Sequence, residues 1–365
     1  MWWILNGSAL IYSFYLVLIS IFYKGWRRIA FFVPKGDEKI RTKISVIIAC
    51  RNEKNHIRQI ISCLAQQSYQ NYELILVNDH SVDATRNYIK SAQETYPKIQ
   101  LVDAVGYGKK NSLKEGILIS TGELIITTDA DCMPSFHWLE SIACFNDKYP
   151  CDLIICPVKF SGKDTLFSNL QALEFTSLIA SGAGAAGAGT PVLCNGANLA
   201  FTKKSWMDSQ SDLHEEEMSG DDMFLLESIK KRRGVIRFLK SESAFVSTEP
   251  SNTLKEFIKQ RRRWTSKSGA YTDWQLIFTA CVVFSVNLLL VTLLSLSFFN
   301  PACLYVFAAF FLAKYILDSL FLNSVRTFFQ LNKVWIYSFF LSVIYPFYIV
   351  SIAFSTLLVK PDRWK

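Results

Sequence analysis

The chain has 365 residues, 50% of them hydrophobic and 14% aromatic, with a formal net charge of +8. That apolar share is high for a purely water-soluble protein, and it is concentrated in the first ~23 and last ~90 residues, which excludes a single soluble globule and predicts a soluble domain held between membrane segments. The basic surplus suits nucleic acid or an anionic membrane surface; with membrane segments at both ends the membrane surface is the simpler partner, and nucleic acid is set aside.

Residues 2 to 23, WWILNGSALIYSFYLVLISIFY, carry no charge and reach the roughly 20 apolar residues that a bilayer crossing needs. A cleaved signal peptide carries its basic residues in front. Here Lys24, Arg27 and Arg28 follow, so residues 1–23 read as an N-terminal transmembrane helix with its start outside and residue 24 onward in the cytosol of a bacterial inner-membrane protein.

Residues 41–250 alternate two patterns. KISVIIAC (43 to 50), YELILVND (72 to 79), KIQLVDA (98 to 104) and ELIITTD (123 to 129) are short β-rich runs. Helical stretches lie between them, from His56, from Asp83 and from Ser112. Strands alternating with helices predict an α/β, Rossmann-like fold, a mostly parallel sheet with helices on both faces. Ligands then bind beyond the carboxyl ends of the strands. Three polar clusters fall at those ends: Arg51, Asn52 and Glu53; Asn78 to Asp83; and Asp129, Ala130 and Asp131. Ser81 or Asp83 in isolation caps a helix, and Glu53 favours a helix dipole. Acids gathered at one edge, however, repel unless a cation or ligand compensates. Two carboxylates in a DxD pattern are hard ligands of the kind that hold Mg²⁺ or Mn²⁺ together with substrate phosphates.

Nine cysteines lie without CxxC spacing. Cys50, Cys63, Cys144 and Cys156 fall in apolar runs, so they read as small buried hydrophobes, not as disulfides or zinc ligands. GAGAAG, Gly182 to Gly187, matches a dinucleotide fingerprint. It follows a helical pattern (166 to 181) and not a strand, so it reads as a flexible or closely packed loop. Ser219 with Asp222 has capping-box spacing, placing Asp221 and Asp222 in a first helical turn. His214 with Glu215 to Glu217 reads as a solvated loop.

Residues 251–272 contain TLKEFIKQRRRWTSKSGAY, apolar at Leu254, Phe257 and Ile258 amid basic residues: an amphipathic helix at the membrane interface, in contact with membrane lipids. Residues 273–365 hold about three further apolar segments, near 275 to 299, 301 to 323 and 334 to 358. Three crossings from the cytosol leave the basic tail outside; a break at Pro346 into a re-entrant pair restores it to the cytosol. Lys314 and Asp318, four apart, share a helix face and are expected to pair.

Taken together, SVIIACRNE, ELILVNDHSVDAT, GKKNSLKEGI, TTDADC, CNGANLAF, SGDD and QRRRW resemble, in order and approximate spacing, the family-two inverting glycosyltransferases. The closest likeness is to the membrane-embedded branch with cellulose, hyaluronan and poly-N-acetylglucosamine synthases and ceramide glucosyltransferase. The family more often has DD and a glycine where this chain has Asn78 and His80. The resemblance implies a GT-A fold and a nucleotide-sugar donor, such as a UDP-sugar, with Mg²⁺ or Mn²⁺ as cofactor. By the same resemblance Glu53 and Asp79 contact the nucleoside, Lys109 holds the nucleotide, Asp129 faces ribose and diphosphate, and Asp131 ligates the metal with Asp129 beside it. Asp222 aligns with the catalytic base, next to Asp221. Asn195 and Asn198 border donor sugar and acceptor. In the QxxRW motif Arg263 clamps the diphosphate, and Gln260 and Trp264 contact acceptor or donor sugar.

The expected activity is inverting transfer of a sugar to a lipid or membrane-proximal acceptor. The alternatives are a processive synthase that extends and translocates a β-linked glycan, with or without a membrane partner subunit, and a silent nucleotide-binding scaffold. A DxDx[TV] phosphatase needs Thr or Val where Met133 stands, and a transporter needs more spans. A silent scaffold predicts loss of an acid or of the arginine clamp, and none is lost.

Overall fold

The computed structural model describes residues 2–34, 41–162, 164–213 and 220–358. They fall into two compact units, one built on a sheet and one helical.

The sheet unit comprises Ile29–Ser161 and Cys194–Glu249. Its strands are β1 (Ile44–Cys50), β2 (Tyr72–Asn78), β3 (Ile99–Asp103), β4 (Leu124–Thr127), β5 (Met133–Pro134), β6 (Leu153–Ile155), β7 (Val158–Phe160), β8 (Leu199–Thr202), β9 (Ile236–Phe238) and β10 (Val246–Thr248). Seven of them form one sheet in the order β3-β2-β1-β4-β8-β6-β9, and β5-β10-β7 form a small second sheet. Every residue of β1 and of β4 is buried. That is why these strands read as unbroken apolar runs, as parallel strands covered on both faces do. β1 pairs in parallel with β2 and β4, and β2 with β3. β8 runs antiparallel between β4 and β6, so its first residues lie at the edge where β4 ends. The mostly parallel sheet expected from the sequence is present, and this one reversed strand enlarges its functional edge.

Helices Ile57–Ala65, Thr85–Thr95 and Lys109–Ile119 follow β1, β2 and β3. The last packs closely on the sheet. A Cβ placed on Gly116 would stand 2.7 Å from Ile47 Cγ2, closer than carbon atoms approach, and 3.0 Å from Val77 Cγ2, a tight contact. Gly116→Val is therefore expected to destabilise the protein by about 1 to 3 kcal/mol through overpacking, despite removing a residue unfavourable in helices. The midpoint of thermal unfolding reads this directly, and an unchanged midpoint contradicts the packing described.

The helical unit comprises Met1–Arg28, Gly162–Leu193 and the described residues from Pro250 onward. Its helices are Trp2–Arg28, Leu166–Gly187, Leu254–Thr265, Trp274–Ser297, Ala302–Phe329 and Val334–Leu358. Four of them, at Asn6–Arg28, Trp274–Ser297, Ala302–Phe329 and Val334–Thr356, are long and apolar enough to cross a membrane. These are the four segments expected from the sequence. The last runs unbroken through Pro346, so the re-entrant pair is not formed; the basic tail lies outside the described residues. Lys314 and Asp318 pair at 2.5 Å, and the Tyr15 hydroxyl donates to the same carboxylate at 2.6 Å.

GAGAAG requires a correction. It is no loop: residues 182 to 187 are the final turns of helix Leu166–Gly187. A Cβ on Gly184 would stand 2.4 Å from the Phe22 carbonyl oxygen, and one on Gly25 would stand 1.9 Å from the Gly184 carbonyl oxygen. The small residues let two helix backbones touch, as in close membrane helix packing. That contact outweighs the roughly 1 kcal/mol that each glycine costs a helix relative to alanine.

Candidate active site

The carboxyl ends of β1 and β2 are tied together before any ligand is considered. The turn after β1 places Asn52 at φ 57°, and the turn after β2 places His80 at φ 52°. Backbone N–H groups of the first turn donate to side chains of the second: Asn52 to Ser81 Oγ (3.1 Å), Glu53 to Thr85 Oγ1 (2.7 Å) and Lys54 to Asp83 Oδ2 (3.2 Å). Asp83 also accepts from the Thr85 N–H at 2.9 Å. These bonds to the carboxylate hold its pKa below the usual aspartate value despite a partial burial that opposes them.

Asp79 lies at the centre of this edge and is fully buried. Its oxygens meet His80 Nδ1 at 3.0 Å, the Gly108 N–H at 3.1 Å and Arg51 Nη1 at 3.5 Å. It therefore locks the β2 turn to the loop that opens helix Lys109–Ile119. Above it the His80 and Tyr107 rings stack, with centroids 3.9 Å apart. Glu53 is only partly buried and bonds His56 Nδ1 at 2.9 Å.

Lys109, the first residue of its helix, reaches Asp129 Oδ1 at 2.5 Å. Burial pulls its ammonium pKa down, but the charges of Asp129, Asp222 and Asp221 outweigh this and hold it above the ordinary lysine value. One lysine thus senses acids from the end of β4 and from the start of helix Asp221–Lys231. Asp131 is exposed as a residue, but its carboxyl group loses part of its hydration against the protein. That loss of solvation, then the charges of Asp129 and Glu53, push its carboxyl pKa up, with Lys109 opposing. Ligand atoms of Asp129, Asp131 and Cys132 lie within 4.8 Å of one another. The two carboxylates suit a hard divalent cation; the Cys132 thiol is soft and buried, so the donor set that fits Mg²⁺ or Mn²⁺ is the DxD pair.

Asp222 is fixed by backbone donors. Its Oδ2 accepts from the Gly196 N–H and its Oδ1 from the Met223 N–H, both at 2.9 Å. Gly220 opens the helix at φ 106°; Ser219, the expected cap, and His214 to Glu217 lie outside the described residues. Lys110 pairs with Asp221 at 3.6 Å. The segment 195–198 joins these acids to β4, because Thr127 Oγ1 donates to the Gly196 carbonyl at 3.0 Å. Asn195 accepts from the Ala197 N–H at 3.0 Å. Asn198 is fully buried, gives its amide hydrogens to the Pro157 and Ala244 carbonyls, and accepts from Trp138 Nε1.

Thus Glu53, Asp79, Lys109, Asp129, Asp131, Asn195, Asn198, Asp221 and Asp222 all belong to the sheet unit, while Gln260, Arg263 and Trp264 lie on helix Leu254–Thr265 of the helical unit. Gly196, Thr127 and Lys110 are further participants. Each lies inside one of the quoted stretches, but its partner, the Asp222 carboxylate, the Gly196 carbonyl or the Asp221 carboxylate, comes from a distant part of the chain that spacing does not reveal.

Known proteins share the fold that carries these residues. The family profile Glycosyl transferase family 2 matches residues 45–206. An uncharacterized glycosyltransferase of Haemophilus influenzae is 29% identical over 106 residues, covering 29% of this chain and 33% of that protein. The poly-beta-1,6-N-acetyl-D-glucosamine synthase of Staphylococcus epidermidis is 26% identical over 177 residues, covering 46% of this chain and 42% of that protein. These matches span less than half the length of either relative. Among solved structures, mannosyltransferase PcManGT from Pyrobaculum calidifontis, in complex with GDP-Man and Mn²⁺, superposes with a TM-score of 0.56 at 16% identity over 97% of this chain and 99% of that one. The fold is therefore GT-A.

Proposed function

We propose that this chain, whose residues 45–206 match the profile of glycosyl transferase family 2, transfers a sugar from a nucleoside-diphosphate sugar to a lipid or membrane-proximal acceptor, with inversion at the anomeric carbon. The observation that carries the reading is the position of Lys109, which reaches Asp129 at 2.5 Å and also lies under the charges of Asp222 and Asp221. Adjacent lysines, Lys109 on Asp129 and Lys110 on Asp221, amid acids from two parts of the chain are the arrangement that a diphosphate leaving group and an acceptor hydroxyl need side by side.

In this reading Asp222 removes the proton from the acceptor hydroxyl as its oxygen attacks the anomeric carbon, while the bond from that carbon to the diphosphate oxygen breaks on the opposite face. One displacement at one carbon inverts it. Lys109 meets the charge that develops on the diphosphate. Asp131 and Asp129 would hold Mg²⁺ or Mn²⁺, which when bound supplies further neutralisation of that charge. Asp79 acts by holding the β2 turn, which carries His80, against Arg51 of the β1 turn and the Gly108 N–H, and Asn198 by holding the segment that carries Asn195. Arg263 supplies a guanidinium for the diphosphate, and Gln260 and Trp264 serve the sugar or acceptor. The four apolar helices and the basic residues Lys24, Arg27 and Arg28 after the first of them support membrane insertion with this chemistry on the cytosolic side. A second reading, stepwise extension of a polysaccharide, draws support from the similarity to the Staphylococcus epidermidis synthase.

The test is to incubate the purified protein with UDP- and GDP-sugars, Mg²⁺ or Mn²⁺ and membrane lipid extract, and to weigh the products. One added sugar on a lipid supports the first reading; a ladder of sugars supports the second. Nucleotide binding without transfer from any donor leaves only the silent scaffold and overturns both. Chelation with EDTA is expected to stop transfer, and added Mg²⁺ or Mn²⁺ to restore it; full activity in EDTA contradicts the role given to the DxD pair.

A further inference from the structure

Helix Leu254–Thr265 sets Phe257, Gln260, Arg261 and Trp264 at i, i+3, i+4 and i+7, one face of the helix. At the middle of that face Arg261 is 3% exposed, and Glu174 from helix Leu166–Gly187 is also 3% exposed. The two form a forked pair, Arg261 Nε donating to Glu174 Oε1 at 3.2 Å and Nη2 to Oε2. The remaining corner, Nη1, donates to Gln260 Oε1 at 2.7 Å. The guanidinium carbon lies 4.2 Å from the Trp264 ring centroid and 4.7 Å from that of Phe257. Tyr348 adds a donor to Glu174 Oε1 at 3.4 Å. One turn before Glu174, Gln171 bonds both the N–H and the carbonyl of Ser251, at 3.0 and 2.9 Å, fastening the approach to the same helix.

A buried ion pair is seldom there for stability alone, since apolar residues of similar volume usually serve as well. This pair is notable for what it touches: Gln260 and Trp264, two residues of the QxxRW motif. We propose that Arg261, anchored by Glu174, is the positioning residue of that motif, fixing the Gln260 amide by a hydrogen bond and the Trp264 ring by a cation–π contact. A guanidinium serves here because it engages a carboxylate with one edge, an amide with another corner and rings with its plane; an ammonium has no plane and no fork. What Gln260 and Trp264 then present to the sugar or acceptor rests on the function proposed above.

The test uses the full chain in detergent with Arg261→Lys, the charge-free pair Glu174→Gln/Arg261→Met, and Trp264→Ala. Turnover is read with the donor that the wild type accepts. Nucleotide binding is read by calorimetry with UDP or GDP and Mn²⁺. The environment of Trp264 is read as the fluorescence difference between each protein and its Trp264→Phe counterpart. Arg261→Lys is expected to lower kcat by about 10²-fold, the scale of a misplaced contact, to keep the wild-type nucleotide Kd, and to shift the Trp264 spectrum. Combined with Trp264→Ala it should add little further loss, because the two act as one unit. Wild-type kcat in Arg261→Lys, losses that multiply, or a nucleotide Kd that worsens in step with kcat overturns the proposal. If the wild type transfers no sugar, the proposed function falls. The Trp264 spectrum still decides the positioning, and an unshifted spectrum in both Arg261 variants refutes it.

Discussion

Asp222→Asn is expected to reduce sugar transfer by about 10² to 10⁴-fold, the usual scale of a lost general base, while nucleotide still binds in the presence of Mn²⁺. Asparagine keeps the shape but not the basicity. It also keeps one acceptor oxygen where the carboxylate serves both the Gly196 and Met223 N–H groups, so one backbone donor loses its partner at a cost of about 1 kcal/mol or more. That cost loosens the segment 195–198 without unfolding the domain. Asp131→Ala separates the two roles, because removing a metal-holding carboxylate should abolish transfer and also weaken metal-dependent nucleotide binding. Rates with the accepted donor and calorimetry with the nucleotide make the comparison. Full activity in Asp222→Asn would refute its role as base, and tight metal-dependent binding in Asp131→Ala its role as ligand.

Gly25→Leu is expected to prevent the helical unit from assembling. A single Cβ at this position already falls 1.9 Å from a backbone carbonyl, and backbone does not yield as a flexible side chain does. The usual overpacking cost of about 1 to 3 kcal/mol is therefore a lower bound here. Gly7→Leu, on the same helix with nothing within 4 Å of its Cβ direction, is the matched control. Size-exclusion profile and thermal midpoint in detergent should collapse for Gly25→Leu and stay unchanged for Gly7→Leu; equal behaviour of the two refutes the close helix contact.

The contrast between these regions bears on what the sequence carries. β1, β2 and β4 are legible because each carries an unbroken apolar run, VIIAC, LILV and LII, that ends in polar or turn residues, with the shorter pattern IQLVD of β3 between helices, and the rule for parallel sheets then places Lys109, Asp129 and Asp131 at one edge. β6, β7, β9 and β10, at three residues each, are too short to give a period. The reversal of β8 depends on its neighbours rather than on its own residues. GAGAAG misleads because glycine is the poorest helix former after proline, and only the opposing Phe22 and Gly25 backbone explains why the helix continues through it. Asp79 has the residue type and place of a ligand contact, yet its partners Arg51, His80 and Gly108 are set by three-dimensional convergence.

The reversed strand also sets an order of events during synthesis. β1 to β4 are complete once residue 127 has left the ribosome, but β4 finds its other neighbour only at residues 199 to 202, after the long helix Leu166–Gly187 has been made. Until then the largely apolar β4 presents an open edge with unpaired N–H and carbonyl groups, the feature most prone to pairing with another chain. The nascent protein therefore passes through a vulnerable interval, and it ends when the chain returns to lay β8 beside the two acids that follow β4.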